Sequence, residues 1–282
     1  MTEIDQSEWT LPLNPAHGRM ACPLQIPGIN NNKRQRHGNE HIHGSGEPGA
    51  GAGMKSPISP TIGLVSGLGL RATGALLDLL AEECRVQYGA RHDADFPRML
   101  VAVEAVPDNG DADDAFRNAL WRVEQAGANF LALACDAPPL HFPRLAESVG
   151  VRVLNPIDLM LEAIPLSSQR IALVAARPVV ESEIFQRALW RGGHRLVDPG
   201  WQQEVDSLVA AARNAGDASR LERRWTNFLG TAAEAGVDTV LVACAELGSV
   251  ARQVNAALHV VDGLECLARG IVAEWLAWCV EE

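Results

Sequence analysis

Lysine is almost absent from this chain of 282 residues: the sequence holds only Lys33 and Lys55, and none follows residue 55. Enzymes that use pyridoxal phosphate bind it through a lysine Schiff base. The body of the chain therefore excludes pyridoxal-phosphate chemistry.

The sequence also lacks an excess of positive charge and long apolar runs. Its formal net charge is -11, which disfavours nucleic acid and anionic membrane surfaces as partners. No apolar run approaches the roughly 18–20 residues of a membrane span. The first five residues, Met-Thr-Glu-Ile-Asp, lack the basic-then-apolar layout of a signal peptide. We expect a cytoplasmic protein that acts on a small molecule, with no nucleic-acid or membrane partner.

Paired cysteine motifs are missing as well. There is no CxxC pair of the kind that holds zinc, and six cysteines are too few for a disulfide scaffold of this length. We expect thiols and no bound metal. The cysteines stand at positions 22, 84, 135, 244, 266 and 279.

Residues 1–57 are rich in Gly, Asn, Pro and His and show no apolar periodicity. Such a segment cannot bury enough surface to offset its ordering entropy, so we expect a disordered N-terminal tail. Its four histidines, among them His41 and His43, indicate a mobile tail more readily than a weak metal site. We hypothesise that Met54 is the functional start.

From Thr61 onward, short apolar runs alternate with helical stretches, the pattern of βαβ units on a parallel sheet. The predicted strands are Ile62–Ser66, Met99–Val103, Phe130–Ala134, Val151–Leu154, Ile171–Ala175, Thr239–Ala243 and His259–Val261. The predicted helices include Thr73–Tyr88, Asp113–Ala126, Glu181–Arg191 and Leu221–Ala235.

An internal repeat organises this part of the chain. The segment Ala-Gly-Ala-Asn-Phe-Leu-Ala-Leu-Ala-Cys at 126–135 recurs as Ala-Gly-Val-Asp-Thr-Val-Leu-Val-Ala-Cys at 235–244. Such a repeat predicts two similar α/β lobes, pseudo-symmetric, each a parallel sheet flanked by helices. We place the first lobe at 58–166 and the second at 167–263, with a C-terminal helix over 264–282 packing back on the first. The active site would lie in the cleft between the lobes.

Each repeat places a cysteine, Cys135 or Cys244, directly after a predicted buried strand. Ligands bind at the carboxyl ends of parallel strands, so two facing lobes would bring both thiols to one cleft. Inverting a stereocentre needs a base on one face and an acid on the other. A thiol pKa of about 8.5 allows both roles. For Cys84, Cys266 and Cys279, at helix positions, we favour simple space filling.

The sequence resembles the aspartate/glutamate racemase superfamily over most of residues 61–275, and most of all its aspartate racemase branch. The matching motifs are Thr-Ile-Gly-Leu-Val-Ser-Gly-Leu-Gly at 61–69, Asp-Phe-Pro at 95–97, Ala-Cys-Asp-Ala at 134–137 and Ala-Cys-Ala-Glu-Leu at 243–247. The resemblance implies a cofactor-independent amino-acid racemase with Cys135 and Cys244 as its proton-transfer pair. It also makes Glu246 the acidic residue after the second cysteine, places Arg177 in a loop that holds the substrate carboxylate, and leaves a homodimer open.

The chain departs from the family pattern where the substrate carboxylate would be held. Asp136-Ala137 replaces Asn-Thr after the first cysteine, Ala245 replaces the threonine after the second, and Val179 stands at another threonine position. Losing these donors weakens binding of the reacting group unless others replace them.

Three residues are candidate replacement donors: Arg71, Thr73 and Arg177. Arginine grips a carboxylate with two hydrogen bonds, although each of these residues could equally be a surface arginine or a capping threonine. Beside the cysteines, Glu246 either sets the protonation of Cys244 or stabilises a helix N-terminus. An inward-pointing Asp136 would raise the pKa of its neighbouring thiol.

Three rival functions remain open. The glycines of Gly67-Leu-Gly-Leu-Arg-Ala72 fit a relaxed dinucleotide fingerprint, but the acidic residue that should follow about 20 residues later is out of place. A second rival is a small-molecule-binding protein that has lost turnover. The third is an isomerase of the same superfamily acting on another substrate, such as a hydantoin or maleate.

Overall fold

The structure, a computed structural model, describes residues 59–67, 69–104, 112–134, 142–167, 169–214, 217–254 and 257–280. The predicted tail at 1–57, with Met54, lies outside these residues. So do Cys135 and Asp136.

The first lobe is built on a parallel sheet of order β2-β1-β3-β4. Strands β1 and β3 are central and buried along their whole length, as strands covered by helices on both faces must be. In chain order its elements are β1 (Thr61–Ser66), α1 (Gly69–Tyr88), a 3₁₀ turn (Asp93–Asp95), β2 (Arg98–Val103), α2 (Ala112–Gln125), β3 (Phe130–Ala134), α3 (Phe142–Ala146), β4 (Arg152–Leu154) and α4 (Pro156–Glu162).

The second lobe repeats this order in a parallel sheet β6-β5-β7-β8. Its elements are β5 (Arg170–Ala175), α5 (Arg177–Glu181), α6 (Ile184–Arg191), β6 (Arg195–Leu196), α7 (Gln202–Arg213), α8 (Ala218–Glu234), β7 (Thr239–Ala243), α9 (Ala245–Gln253), β8 (His259–Asp262) and α10 (Gly263–Val280). No helix in the described ranges is long and apolar enough to cross a membrane.

The predicted fold class, α/β with two similar parallel sheets, is confirmed. All seven predicted strands are present to within one residue at either end, and β6, with only two residues, is the strand that periodicity missed. The single helix predicted at 181–191 was wrong, because two helices, α5 and α6, cover this part of the chain. Pro178 starts a short α5 earlier, since proline is tolerated in the first turn of a helix, and Glu183, with a φ of 57°, separates it from α6.

The last helix of each lobe packs against the core of the other lobe. Helix α4 follows β4 of the first sheet, yet its Ile157 and Met160 lie in a core with Ile171 of the second sheet. Helix α10 follows β8 of the second sheet, yet its buried face packs on α1 and on Ile62 of the first. Neither core is complete without the other lobe's helix, and the exchange brings the carboxyl ends of both sheets together.

Candidate active site

Cys244 stands at a sharp change from strand to helix. It directly follows β7 and is the N-cap residue of α9, with an extended backbone (φ -145°, ψ 113°). Its side chain is buried, with 3% of the residue exposed. Because the first turn of a helix carries a partial positive charge, this position favours negative charge on a bound group or on the sulfur itself.

A carboxylate and a guanidinium are linked to this thiol. Cys244 Sγ donates to Glu246 Oε2 at 3.0 Å, and Arg213 Nε donates to Glu246 Oε1 at 2.5 Å. Burial alone would raise the pKa of Glu246, but the hydrogen bonds from Cys244 and Arg213 hold that pKa below its usual value. Glu246 is therefore ionised near neutral pH and accepts the hydrogen bond of a protonated Cys244.

Cys244 opens into a cavity of about 60 Å³ that both lobes line. Ala134 at the end of β3 and Ala243 at the end of β7, equivalent positions of the internal repeat, both contribute to its wall. Among the described lining residues, only Cys244 and Met160 have a side-chain heteroatom. The complete described lining is Leu133, Ala134, Pro156, Ile157, Met160, Phe185, Val242, Ala243, Cys244, Ala245, Gly263, Leu264 and Leu267.

The first-lobe candidates Cys135 and Asp136 lie outside the described residues. The chain nevertheless leaves the described part of β3 at Ala134, on the wall of the cavity, and Cys135 is the next residue.

Arg177 lies at the same edge of the second sheet as Cys244. Ala175 pairs with Ala243 across β5 and β7, and Arg177 follows two residues after Ala175. Its guanidinium forms an ion pair with Asp206 of α7. The Asp206 carboxylate is held in turn by Gln202, whose Nε2 donates to it at 2.8 Å and to the Ala175 carbonyl at 3.1 Å.

The other two predicted donors lie on α1 of the first lobe. Arg71 is exposed. Thr73 is buried, and its hydroxyl forms a 2.7 Å hydrogen bond with the Ser66 hydroxyl at the end of β1. Ser66 pairs with Ala134 across β1 and β3, so this hydroxyl pair lies beside the end of β3, but neither residue is in the described cavity lining.

Sequence reasoning missed Asp206, Gln202 and Arg213, all on α7, a helix that it did not predict. The three residues stand at helical spacing, which brings them to one side of α7. That spacing predicts a shared face of a helix, but it carries no signal of the partners that this face meets.

The remaining described cysteines differ from Cys244. Cys266 is buried on α10, and burial raises its pKa to about 12, which makes it a poor proton-transfer group. Burial also raises the pKa of Cys84, whereas Cys279 is exposed rather than space-filling. Within the described ranges no cluster of three His, Cys, Asp or Glu side chains could hold a metal ion.

The two-lobe arrangement places the molecule in a known structural class. An aspartate racemase homologue from Pyrococcus horikoshii OT3 shares 18% identity with a TM-score of 0.66, over 77% of this chain and 99% of that one. Picrophilus torridus aspartate racemase shares 19% identity with a TM-score of 0.64, over 77% of this chain and 94% of that one. Both likenesses show the fold.

Sequence comparison gives the family. The model of the Asp/Glu/Hydantoin racemase family matches residues 65–271. The broad specificity amino-acid racemase RacX of Bacillus subtilis (strain 168) is 24% identical over 225 residues, which cover 77% of this chain and 99% of RacX. The chain belongs to the Asp/Glu/hydantoin racemase family, and the predicted resemblance to the aspartate/glutamate racemase superfamily is confirmed.

Proposed function

We propose that this protein racemises an amino acid by proton transfer at the α-carbon, with Cys244 acting on one face and Cys135 on the other. The observation that carries the proposal is the shared cavity. Cys244 lines it from the second lobe, and the repeat-equivalent end of β3 lines it from the first. The family membership and the likeness to an amino-acid racemase over nearly the whole length of that relative support the reaction class.

In the proposed reaction, one cysteine thiolate takes the α-proton and the opposite thiol returns a proton to the other face. In one direction Cys244 would act as the acid, since its thiol lines the cavity and the ionised Glu246 that accepts its hydrogen bond favours the protonated form until the carbanion takes the proton. The carbanion is stabilised by the partial positive charge at the N-terminus of α9. Neither a lysine nor an organic cofactor takes part.

The experiment is α-proton exchange in D₂O, followed by proton NMR over a panel of L- and D-amino acids. We expect Cys135→Ser and Cys244→Ser each to slow racemisation by about 100-fold or more, because each removes one of the two acid–base groups. The matched control is Cys266→Ser, a buried cysteine of high pKa outside the cavity lining, which should keep its activity.

Racemisation that survives in both single variants would refute the two-thiol mechanism. If no α-amino acid exchanges its proton while amino acids still raise the melting temperature, the protein is a binding protein that does not turn over. That outcome would refute the proposed function while leaving the described cavity as a ligand site.

A further inference from the structure

Arg177, at the edge of the second sheet where Cys244 lies, is already neutralised by the protein itself. The guanidinium of Arg177 is paired with Asp206, and Gln202 fixes that carboxylate by a 2.8 Å hydrogen bond to its other oxygen. A free arginine at this edge would attract a second carboxylate on the substrate. In this protein the negative charge that pairs with Arg177 comes from Asp206 of α7 and not from a substrate.

The second cation at this edge is in the same situation. Arg213, at the end of α7, pairs with Glu246 beside Cys244. The two arginines and two carboxylates add no net positive charge around Cys244. A substrate with an anionic side chain would also meet the Glu246 carboxylate, which is ionised near neutral pH.

The cavity wall gives an independent indication. Its described side chains are hydrocarbon apart from the sulfurs of Cys244 and Met160. A carboxylate in such a wall would lose water without gaining hydrogen bonds from those side chains, whereas an aliphatic side chain gains from the same burial.

Building on the racemase function proposed above, we propose that the substrate is an amino acid with an uncharged, apolar side chain, and that Asp206 determines this specificity by neutralising Arg177. The reacting amino acid is of the alanine, leucine or methionine type rather than aspartate or glutamate. Asp206 acts through Arg177 and is a positioning residue.

The test compares kcat/KM for α-proton exchange of leucine and methionine with that of aspartate and glutamate. We expect the wild-type protein to favour the apolar pair by at least tenfold. In Asp206→Asn the amide keeps a hydrogen bond to Gln202 but leaves Arg177 uncompensated, so the ratio should shift toward the acidic substrates by at least tenfold. Glu204→Gln, on the same helix but paired with Arg224, is the matched control and should leave the ratio unchanged.

Three results would overturn the inference, each in a distinct way. Wild-type preference for aspartate or glutamate refutes the substrate class while sustaining the racemase function. A ratio that stays unchanged in a folded Asp206→Asn protein, checked by circular dichroism, and in Asp206→Ala refutes the role of Asp206. An absence of exchange with every α-amino acid refutes the proposed function, and the inference with it.

Discussion

Helices α4 and α10 occupy the same place in the two halves of the repeat, and their N-termini are capped in the same way. Asn155 Oδ1 accepts from the backbone N–H of Ile157 at 3.1 Å, and Asp262 Oδ1 accepts from that of Leu264 at 3.0 Å. Beyond the cap the helices differ. Helix α4 has 7 residues, whereas α10 has 18 and packs against α1.

This difference shows how a duplicated unit becomes one folded body. Each helix packs on the opposite lobe, but α10 supplies a much larger share of its host's core than α4 does. The two helices also pack on each other, and the first turns of both line the cavity beside Cys244. The exchange therefore joins the stability of the lobes to the shape of the site.

The largest expected effect comes from weakening the packing of α10, the longer exchanged helix, on the first lobe. Trp275 of α10 donates from Nε1 to the Pro60 carbonyl at 3.0 Å and packs against Tyr88 with ring centroids 5.4 Å apart. Trp275→Ala should lower the free energy of unfolding by about 3–5 kcal/mol, the cost of removing a large buried aromatic side chain. Urea denaturation followed by far-UV circular dichroism measures this change.

Trp278, on the same helix, is the matched control. It is 37% exposed, and among the described residues its Nε1 donates to Glu274 of its own helix at 3.3 Å, so Trp278→Ala should lower the free energy of unfolding by about 1–2 kcal/mol, clearly less than Trp275→Ala. If the wild-type protein itself unfolds in two separate transitions, the lobes fold independently and the exchange is not what unites them.

A second contrast lies in the first strand of each lobe, where Gly63 and Ala172 are equivalent. A Cβ on Gly63 would overlap Leu131 Cδ2 and lie 2.7 Å from Val123 Cγ1, whereas Ala172 carries its methyl group fully buried. Gly63→Ala should therefore cost about 1–3 kcal/mol of stability through overpacking.

Two controls calibrate that value by thermal denaturation. Ala172→Gly should cost about 0.5–1 kcal/mol, because glycine loses more backbone entropy on folding. Gly74→Ala, with open space around an added Cβ on α1, should raise the stability by a similar amount for the same reason. A Gly63→Ala variant as stable as the wild type would show that α2 and β3 yield easily around β1.

The strands could be predicted because the central ones are uninterrupted apolar runs between polar turns, and the repeat then fixed two sheets rather than one. Short elements could not. Strand β6 has two residues, and α3 and α5 have five each, too few for any period to show. Of the two exchanged helices, only the C-terminal one, over 264–282, was expected to pack back on the first lobe. The packing of α4 on the second lobe leaves no local pattern, because Ile157 and Met160 look like an ordinary buried helix face whichever sheet they meet.

Part of the candidate site could be predicted from the sequence and part could not. Cys244 and Glu246 follow a recognisable strand, so their place at its carboxyl end could be inferred from the sequence alone. Asp206 and Arg213 matter because α7 passes beside β5 and α9, and their partners are 29 and 33 residues away. Charged residues on an exposed helix look alike in sequence whether or not they meet such partners.

The smallest expected effect concerns the chemical difference between the two helix caps. Asp262 is 4% exposed and pairs with Arg252, whereas its counterpart Asn155 is neutral. Burial raises the pKa of the Asp262 carboxyl in spite of Arg252 and the Leu264 N–H, which lower it. An acid whose pKa is raised by folding holds its proton in the native state over a range where the unfolded chain has released it.

The sign of the pH effect follows from this. Asp262→Asn keeps the cap but cannot titrate. The stability of the wild type relative to this variant should therefore fall as the pH rises from about 4, near the unfolded pKa, through the raised native pKa, and then stay level. Urea titrations at successive pH values measure that difference, and Asp262→Ala, which also loses the cap, should lie about 0.5–2 kcal/mol below Asp262→Asn at every pH. A relative stability that instead rises over this range would mean that the pair with Arg252 outweighs burial, and that the charged cap is the stronger of the two.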